Sequence, residues 1–194
     1  MSDAKSDRQW MSGAAHENIV TVGNPMLRQY ATVIGDIGAG KRLADRMALL
    51  LRELKGAGLA APQIGFSERV IVVEVRKTDV FPDRQESPLY AMINPSITEA
   101  SEEVEEGWEG CFSVPGLMGQ VSRHKSITVR YVSLDGFEHR EIFNGYVARV
   151  IQHECDHLIG AIFLDRMKSM QSITTVANYM CSISESCKMG HNLL

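Results

Sequence analysis

QHECDH, residues 152–157, sets two histidines four positions apart with a glutamate directly after the first. An α-helix turns about 100° per residue, so His153 and His157 lie about 40° apart on one face, one turn along the axis. Both imidazoles then reach one ion. Glu154 is displaced to the side of that face. It is poorly placed as a third ligand and well placed beside a water that the ion activates. The flanking stretch YVARVIQHECDHLIG (146–160) has helical apolar spacing and closes on Gly160, which puts the pattern on a helix. The competing reading is a core helix with two incidental histidines, and a third ligand decides between them.

Several third ligands stand open. One metallopeptidase pattern continues to a histidine six residues after the second, and here that position is Phe163. Another recruits a later glutamate, and after His157 only Glu185 is available. Asp165 has no supporting pattern. Cys111, in WEGCFSVPG (108–116), is the strongest candidate. Gly110 before it and Pro115-Gly116 after it suggest a rigid, exposed turn. A thiolate binds zinc or ferrous iron well, and two histidines plus one cysteine leave a fourth position open, as catalytic sites do. Cys155 lies about 200° around the helix from His153 and is expected in the core. Cys181 and Cys187 match no redox motif, and all four cysteines read as free thiols.

Working outward, the 194 residues suit one domain, with 44% hydrophobic and 23% charged residues. We expect a single catalytic domain over 1–194, with 1–18 a loose extension and 169–194 a C-terminal helix or tail. A net charge of −4 argues against a general nucleic-acid or membrane-surface binder. The opening MSDAKSDRQWMSGAAHEN lacks an apolar signal core, which points to a cytoplasmic protein. KRLADRMALLLRELKG (41–56) predicts a helix, ERVIVVEVR (68–76) a strand, and PLYAMINPSIT (88–98) a second strand with an edge or bend at Pro95. KSITVRYVSLDGFEHREIFNG (125–145) predicts a hairpin turning at Asp135-Gly136, and a weak helix is expected over 169–188. The acidic run EEVEEGWEG (102–110) reads as a solvated edge, with Glu109 the exception that pairs with Arg123 to fix the cysteine turn. Two glycine-rich stretches mislead. GDIGAGKR (35–42) nearly spells a phosphate loop, but Arg42 stands where Ser or Thr is needed, so a flexible turn before the helix is expected. GAGLAA (56–61) follows a helix rather than a strand, which argues against a dinucleotide fingerprint. The fold class is α+β: mixed or antiparallel strands packed around a central metal-binding helix.

GAGLAAPQIG (56–65), EGCFS (109–113) and QHECDH (152–157), in this order, resemble the motifs of the peptide deformylase family. Weaker likeness in GNPMLRQYA (23–31), INPSI (93–97) and LIGAIFLDR (158–166) extends the resemblance over about residues 19–168. Phe112, where the family usually has leucine, and Ser122, where proline is common, depart from the pattern. The resemblance implies removal of the formyl group from formyl-methionyl nascent polypeptides, releasing formate. It implies one divalent metal, natively Fe2+ with Zn2+, Ni2+ or Co2+ as replacements, held by Cys111, His153 and His157. A metal-bound water attacks the formyl carbon with Glu154 as general base and acid, and Gln63 and the backbone N–H of Phe112 stabilise the oxyanion. The substrate pairs with backbone at Gly58 and Gly110 by strand addition. Ile64, Val114, Val147 and Val150 are the candidate walls of an apolar methionine pocket. A ferrous thiolate site implies oxygen sensitivity. Ribosome-exit docking suits such an enzyme, although no basic helix announces it, and there is neither a nucleic-acid motif nor a membrane segment. Two other classes compete: a metallopeptidase cutting internal bonds, which needs Glu185 rather than Cys111, and a non-catalytic metal-stabilised binding module, which does not need Glu154.

Overall fold

VIVV (Val70–Val73) forms a strand, β2, with all four residues buried. Its side chains alternate between two cores. Ile71 and Val73 face one and Val70 and Val72 the other. A strand covered on both faces reads as an unbroken apolar run, which is why these residues show no polar alternation. The computed structural model describes residues 16–78, 81–82 and 84–183.

Helix α1 (Ile37–Glu53) covers one face of β2 through Ala44, Met47 and Leu51. Helix α2 (Gly145–His157) covers the other face through Ala148, Val150 and Ile151. Strands β1 (Gly58–Ala60), β2, β3 (Tyr90–Ala100), β6 (Ser126–Val132) and β7 (Glu138–Asn144) form one sheet in the order β1-β2-β3-β6-β7. Strands β4 (Val104–Cys111), β5 (Val114–His124) and β8 (Ile173–Thr175) form a second sheet, in the order β4-β5-β8. Every pairing within the two sheets is antiparallel. Helix α2 contacts strands of both sheets, so the α+β arrangement around a central helix is present. Short helices α3 (Phe163–Arg166) and α4 (Val176–Ile183) pack on β5.

Two expectations are corrected. Helix α1 begins at Ile37, so GDIGAGKR is not a flexible turn. Gly40 lies inside the helix, and a Cβ there would press on Ile93 of β3 at 3.0 Å, so the missing side chain lets α1 sit close on the sheet. The acidic run is β4, an edge strand of its sheet with Glu105 and Glu106 exposed and Glu109 buried, so the solvated edge and its exception are present, and it pairs with β5 from Val104–His124 to Glu109–Gly119 and beyond. Cys181 is disulfide-bonded, so it is not a free thiol. The hairpin turning at Asp135-Gly136 forms as expected, with Gly136 at φ +88°. Pro95 lies in β3 where the register with β6 shifts between Ile93 and Ser96, matching its expected bend. Of the C-terminal helix, Val176–Ile183 is helical, and β8 precedes it. Residues 1–15, Glu185 and Cys187 lie outside the described residues.

Candidate active site

Cys111 ends β4 and Val114 begins β5, so a two-residue connection, Phe112-Ser113, turns the chain at the site. The turn is not the exposed feature expected. Ser113 is fully buried, its N–H lies 3.4 Å from Cys111 Sγ, and its carbonyl accepts from Val22 N–H at 2.7 Å. The same N-terminal segment donates from Val20 to the carbonyl of Gln63, also at 2.7 Å. One stretch of backbone therefore ties together the two loops that face α2.

On α2, His153 and His157 come onto one face, with ring centroids 5.2 Å apart. His157 Nε2 lies 3.3 Å from Cys111 Sγ. One donor atom each from Cys111, His153 and His157 lie within 4.8 Å of one another. His153 turns Nδ1 to Glu109 at 2.9 Å, which leaves Nε2 for the cluster. His157 Nδ1 is buried without a hydrogen-bond partner, and burial pushes the ring well below its ordinary pKa, so it is a neutral imidazole with a free lone pair. A soft sulfur with two imidazole nitrogens fits a divalent transition ion with a position left open.

Behind the cluster lies a buried charge network. Glu109 accepts from Arg123 at 2.9 and 3.0 Å and from Arg149 at 3.0 Å, besides its bond to His153. Arg123 also donates to Asp156 at 2.7 Å, and Asp156 accepts from Arg166. Burial alone would raise Glu109, but the hydrogen bonds from His153 and Arg123 hold it down at about 2. The Glu109–Arg123 pair expected from sequence is present, and Arg149 and Asp156 extend it.

Glu154 is 4% exposed, and one of its carboxylate oxygens, Oε2, has no hydrogen-bond partner. Burial pushes its carboxyl up to about 7. A Cβ on Gly58 would collide with this carboxylate and with Val150, and one on Gly56 would enter the Phe112 ring. The glycines of GAG are therefore places where the chain passes against the site. Gln63 is 1% exposed. Its carbonyl accepts from Ala60 N–H at 2.8 Å, and its amide nitrogen lies 3.3 Å from both Cys111 Sγ and Ser113 Oγ.

These groups line a cleft of about 280 Å³. Gly58, Gln63, Gly110, Cys111, Phe112, Val150, His153 and Glu154 all border it. Ile64, Val114 and Val147 are not among its described lining residues: Ile64 packs toward α1, Val114 under the cysteine turn, and Val147 against the core cluster that also holds Val150. Asp165 is occupied elsewhere, bound to Arg28 and capping Ile162 N–H. Sequence reasoning missed Ala57, Phe81, Arg84, Trp108, Tyr146, Arg149 and Tyr179, which also line the cleft. Tyr146 and Arg149 had a readable signal, since they continue the Val150–His153–Glu154 face at helical spacing. Ala57 and Trp108 lie within the quoted GAGLAAPQIG and WEGCFSVPG stretches, whereas Phe81, Arg84 and Tyr179 are brought in by tertiary packing and carry no local motif.

A family model described as polypeptide deformylase matches residues 16–172. The chain is 38% identical over 172 residues to a protein named peptide deformylase 2 from Nostoc sp., covering 88% of this chain and 96% of that one. It is 42% identical over 160 residues to peptide deformylase 1 from Prochlorococcus marinus, covering 79% and 81%. Among solved structures, a Met-Ala-Ser-bound class I type b peptide deformylase from Acinetobacter baumannii superposes with a TM-score of 0.74 at 38% identity, over 77% of this chain and 96% of that one. The peptide deformylase of Thermus thermophilus superposes with a TM-score of 0.68 at 42% identity, over 77% and 84%.

Proposed function

Because this chain belongs to the polypeptide deformylase family, and is a hydrolase of that family, we propose that it removes the formyl group from formyl-methionyl nascent polypeptides and releases formate. The observation that carries this reading is the convergence of Cys111, His153 and His157 beside a buried glutamate with a free carboxylate oxygen. A divalent ion held by those three residues supplies Lewis acidity, polarising the formyl oxygen and making water a nucleophile near neutral pH. Ferrous iron is the ion we assign natively, with zinc, nickel or cobalt as replacements, since the thiolate–imidazole set accepts each.

The chain's own residues do the rest. Glu154 takes the proton of the attacking water at its free oxygen and passes it to the leaving amine. Gln63 is oriented by the bond from Ala60 N–H to its carbonyl, so its amide N–H groups face Cys111 and the negative charge that develops on the formyl oxygen. The backbone N–H of Phe112 is the second donor. Gly58 and Gly110 offer backbone edges to an extended substrate, and Val150 is an apolar wall of the cleft beside Glu154. Glu109 fixes the tautomer of His153 and is itself fixed by Arg123. The bound Met-Ala-Ser of the Acinetobacter relative supports a cleft that receives peptides beginning with methionine.

No helix among the described residues is long and apolar enough to cross a membrane. We place the reaction in the cytoplasm, near the ribosomal exit, where formylated chains emerge. The whole of 1–194 is taken as one catalytic unit. Formate release from formyl-Met-Ala-Ser, by protein purified without oxygen and supplied with ferrous iron, tests the reading. Rapid release is expected, and metal-loaded protein that releases none overturns it. Air should inactivate the iron form faster than the zinc form, and equal decay removes the ferrous assignment.

A further inference from the structure

The cleft holds a cation that the reaction above does not use. Arg84 lines it together with Cys111 and Glu154. Its guanidinium carbon sits 3.8 Å from the centroid of the Phe81 ring and 4.6 Å from that of Tyr146. Its charge also reaches the phenol of Tyr179. The neighbouring charges are already matched. Glu109 is taken by Arg123, Arg149 and His153, Arg149 also donates to the carbonyls of Val121 and Glu105, and Glu53 faces His16. The Arg84 guanidinium, by contrast, makes no hydrogen bond or ion pair with any described residue.

A guanidinium held by aromatic rings has already lost much of its rotamer freedom, and its planar fork of N–H donors suits a carboxylate. Its position sets which part of a peptide it meets. Tyr146 and Glu154 are eight residues apart on α2, about 12 Å along the axis. An extended peptide advances about 3.3 Å per residue, and alternate side chains share a face. With the methionine side chain turned into the cleft, the second residue points away and the third points in. For a peptide running along α2, two residues cover about 7 Å of those roughly 12 Å, which leaves about 5 Å for the third side chain to reach toward Arg84.

We infer that Arg84 is a specificity determinant that accepts a carboxylate side chain at the third residue of the substrate, so that acidic sequences at that position are favoured. The inference rests on the deformylase reading and deepens it.

The test measures kcat and KM for formyl-Met-Ala-Glu and formyl-Met-Ala-Lys and, separately, calorimetric binding of Met-Ala-Glu and Met-Ala-Lys to the metal-loaded protein. Binding reads the charge preference even if no formate appears, so failure of this inference and failure of the deformylase reading are told apart. A preference for glutamate of about fivefold is expected, carried by KM and by binding, as one partly exposed charge-assisted contact provides. High salt narrows it. Arg84→Gln abolishes the preference, Arg84→Lys keeps part of it, and Arg130→Gln, on the exposed side of β6, leaves it intact. Equal binding of the two peptides, or a preference that survives Arg84→Gln, overturns the inference.

Discussion

The β6–β7 hairpin turns on its own residues, whereas the β4–β5 hairpin is held from outside. At Asp135-Gly136, Asp135 accepts from Phe137 N–H at 2.8 Å, Gly136 N–H returns to Ser133 at 3.0 Å, and Gly136 adopts the positive φ that the turn requires. At Phe112-Ser113 there is neither glycine nor asparagine. The bracing comes from Val22, from Gln63 and from His157, whose contacts with the turn are remote in sequence. One hairpin is a local device that any sheet can use. The other exists in its shape because the site around it does, and it is the one that carries Cys111.

Three substitutions probe this contrast. The largest effect is expected at Arg123, which pairs with Glu109 and Asp156 behind β4–β5. Arg123→Leu removes the cation shared by two buried carboxylates and leaves Glu109 to Arg149 and His153 and Asp156 to Arg166, so it should cost about 3 kcal/mol, read as a lower denaturation midpoint. The pH dependence should change with it. Glu109 is held at about 2, below its ordinary value, so its stabilisation is present above the ordinary carboxylate range and lost as pH falls toward 2. In the variant that low-pH reserve shrinks, and an unchanged acid limb in the unfolding curve would show that the network does not hold this hairpin.

Gln63→Leu comes next. It removes both the site-facing amide and the bond to Ser113. Turnover should drop about a hundredfold or more, the cost of one preorganised donor, while bound metal is retained. Metal content and formate release measured on one preparation separate the two roles, and unchanged turnover would remove Gln63 from the mechanism. The smallest effect belongs to the other hairpin. Gly136→Ala meets no neighbour within 4 Å, so only the strained φ matters, at about 1–2 kcal/mol. Thermal unfolding should register it, whereas kcat/KM should not, and a loss of activity would mean that the hairpins are coupled.

The same contrast explains what the sequence could say. The metal helix was legible because His153, Glu154 and His157 carry their geometry in their spacing. The Asp135-Gly136 turn was legible because its residues satisfy it locally. The β4–β5 pairing was not: Gly110 and Pro115-Gly116 marked a turn and the acidic side chains a solvated edge, but no local signal showed the pairing partner or what braces Phe112-Ser113. Ile64, Val114 and Val147 were assigned to the pocket from their places beside the motifs and, for Val147, one turn before the histidines, but which of them borders the cleft is decided by tertiary packing. Val147 packs on the same core cluster as Val150, three residues on, yet only Val150 borders the cleft. The GAG glycines were read as a backbone edge for the substrate, and only the packed structure identifies Glu154, Val150 and Phe112 as the side chains they pass against. Arg84 and Tyr179 reach the cleft through tertiary packing alone.

The central claim is that a turn held from outside brings a thiolate to the two histidines, and that the three bind one ion beside Glu154. Loading the metal-free protein with Co2+ and recording its absorption spectrum tests this most directly. The account predicts a near-ultraviolet sulfur-to-cobalt charge-transfer band at one equivalent, lost in Cys111→Ala and kept in Cys155→Ala. Stoichiometric binding with no sulfur band, or a band that survives Cys111→Ala, would contradict it.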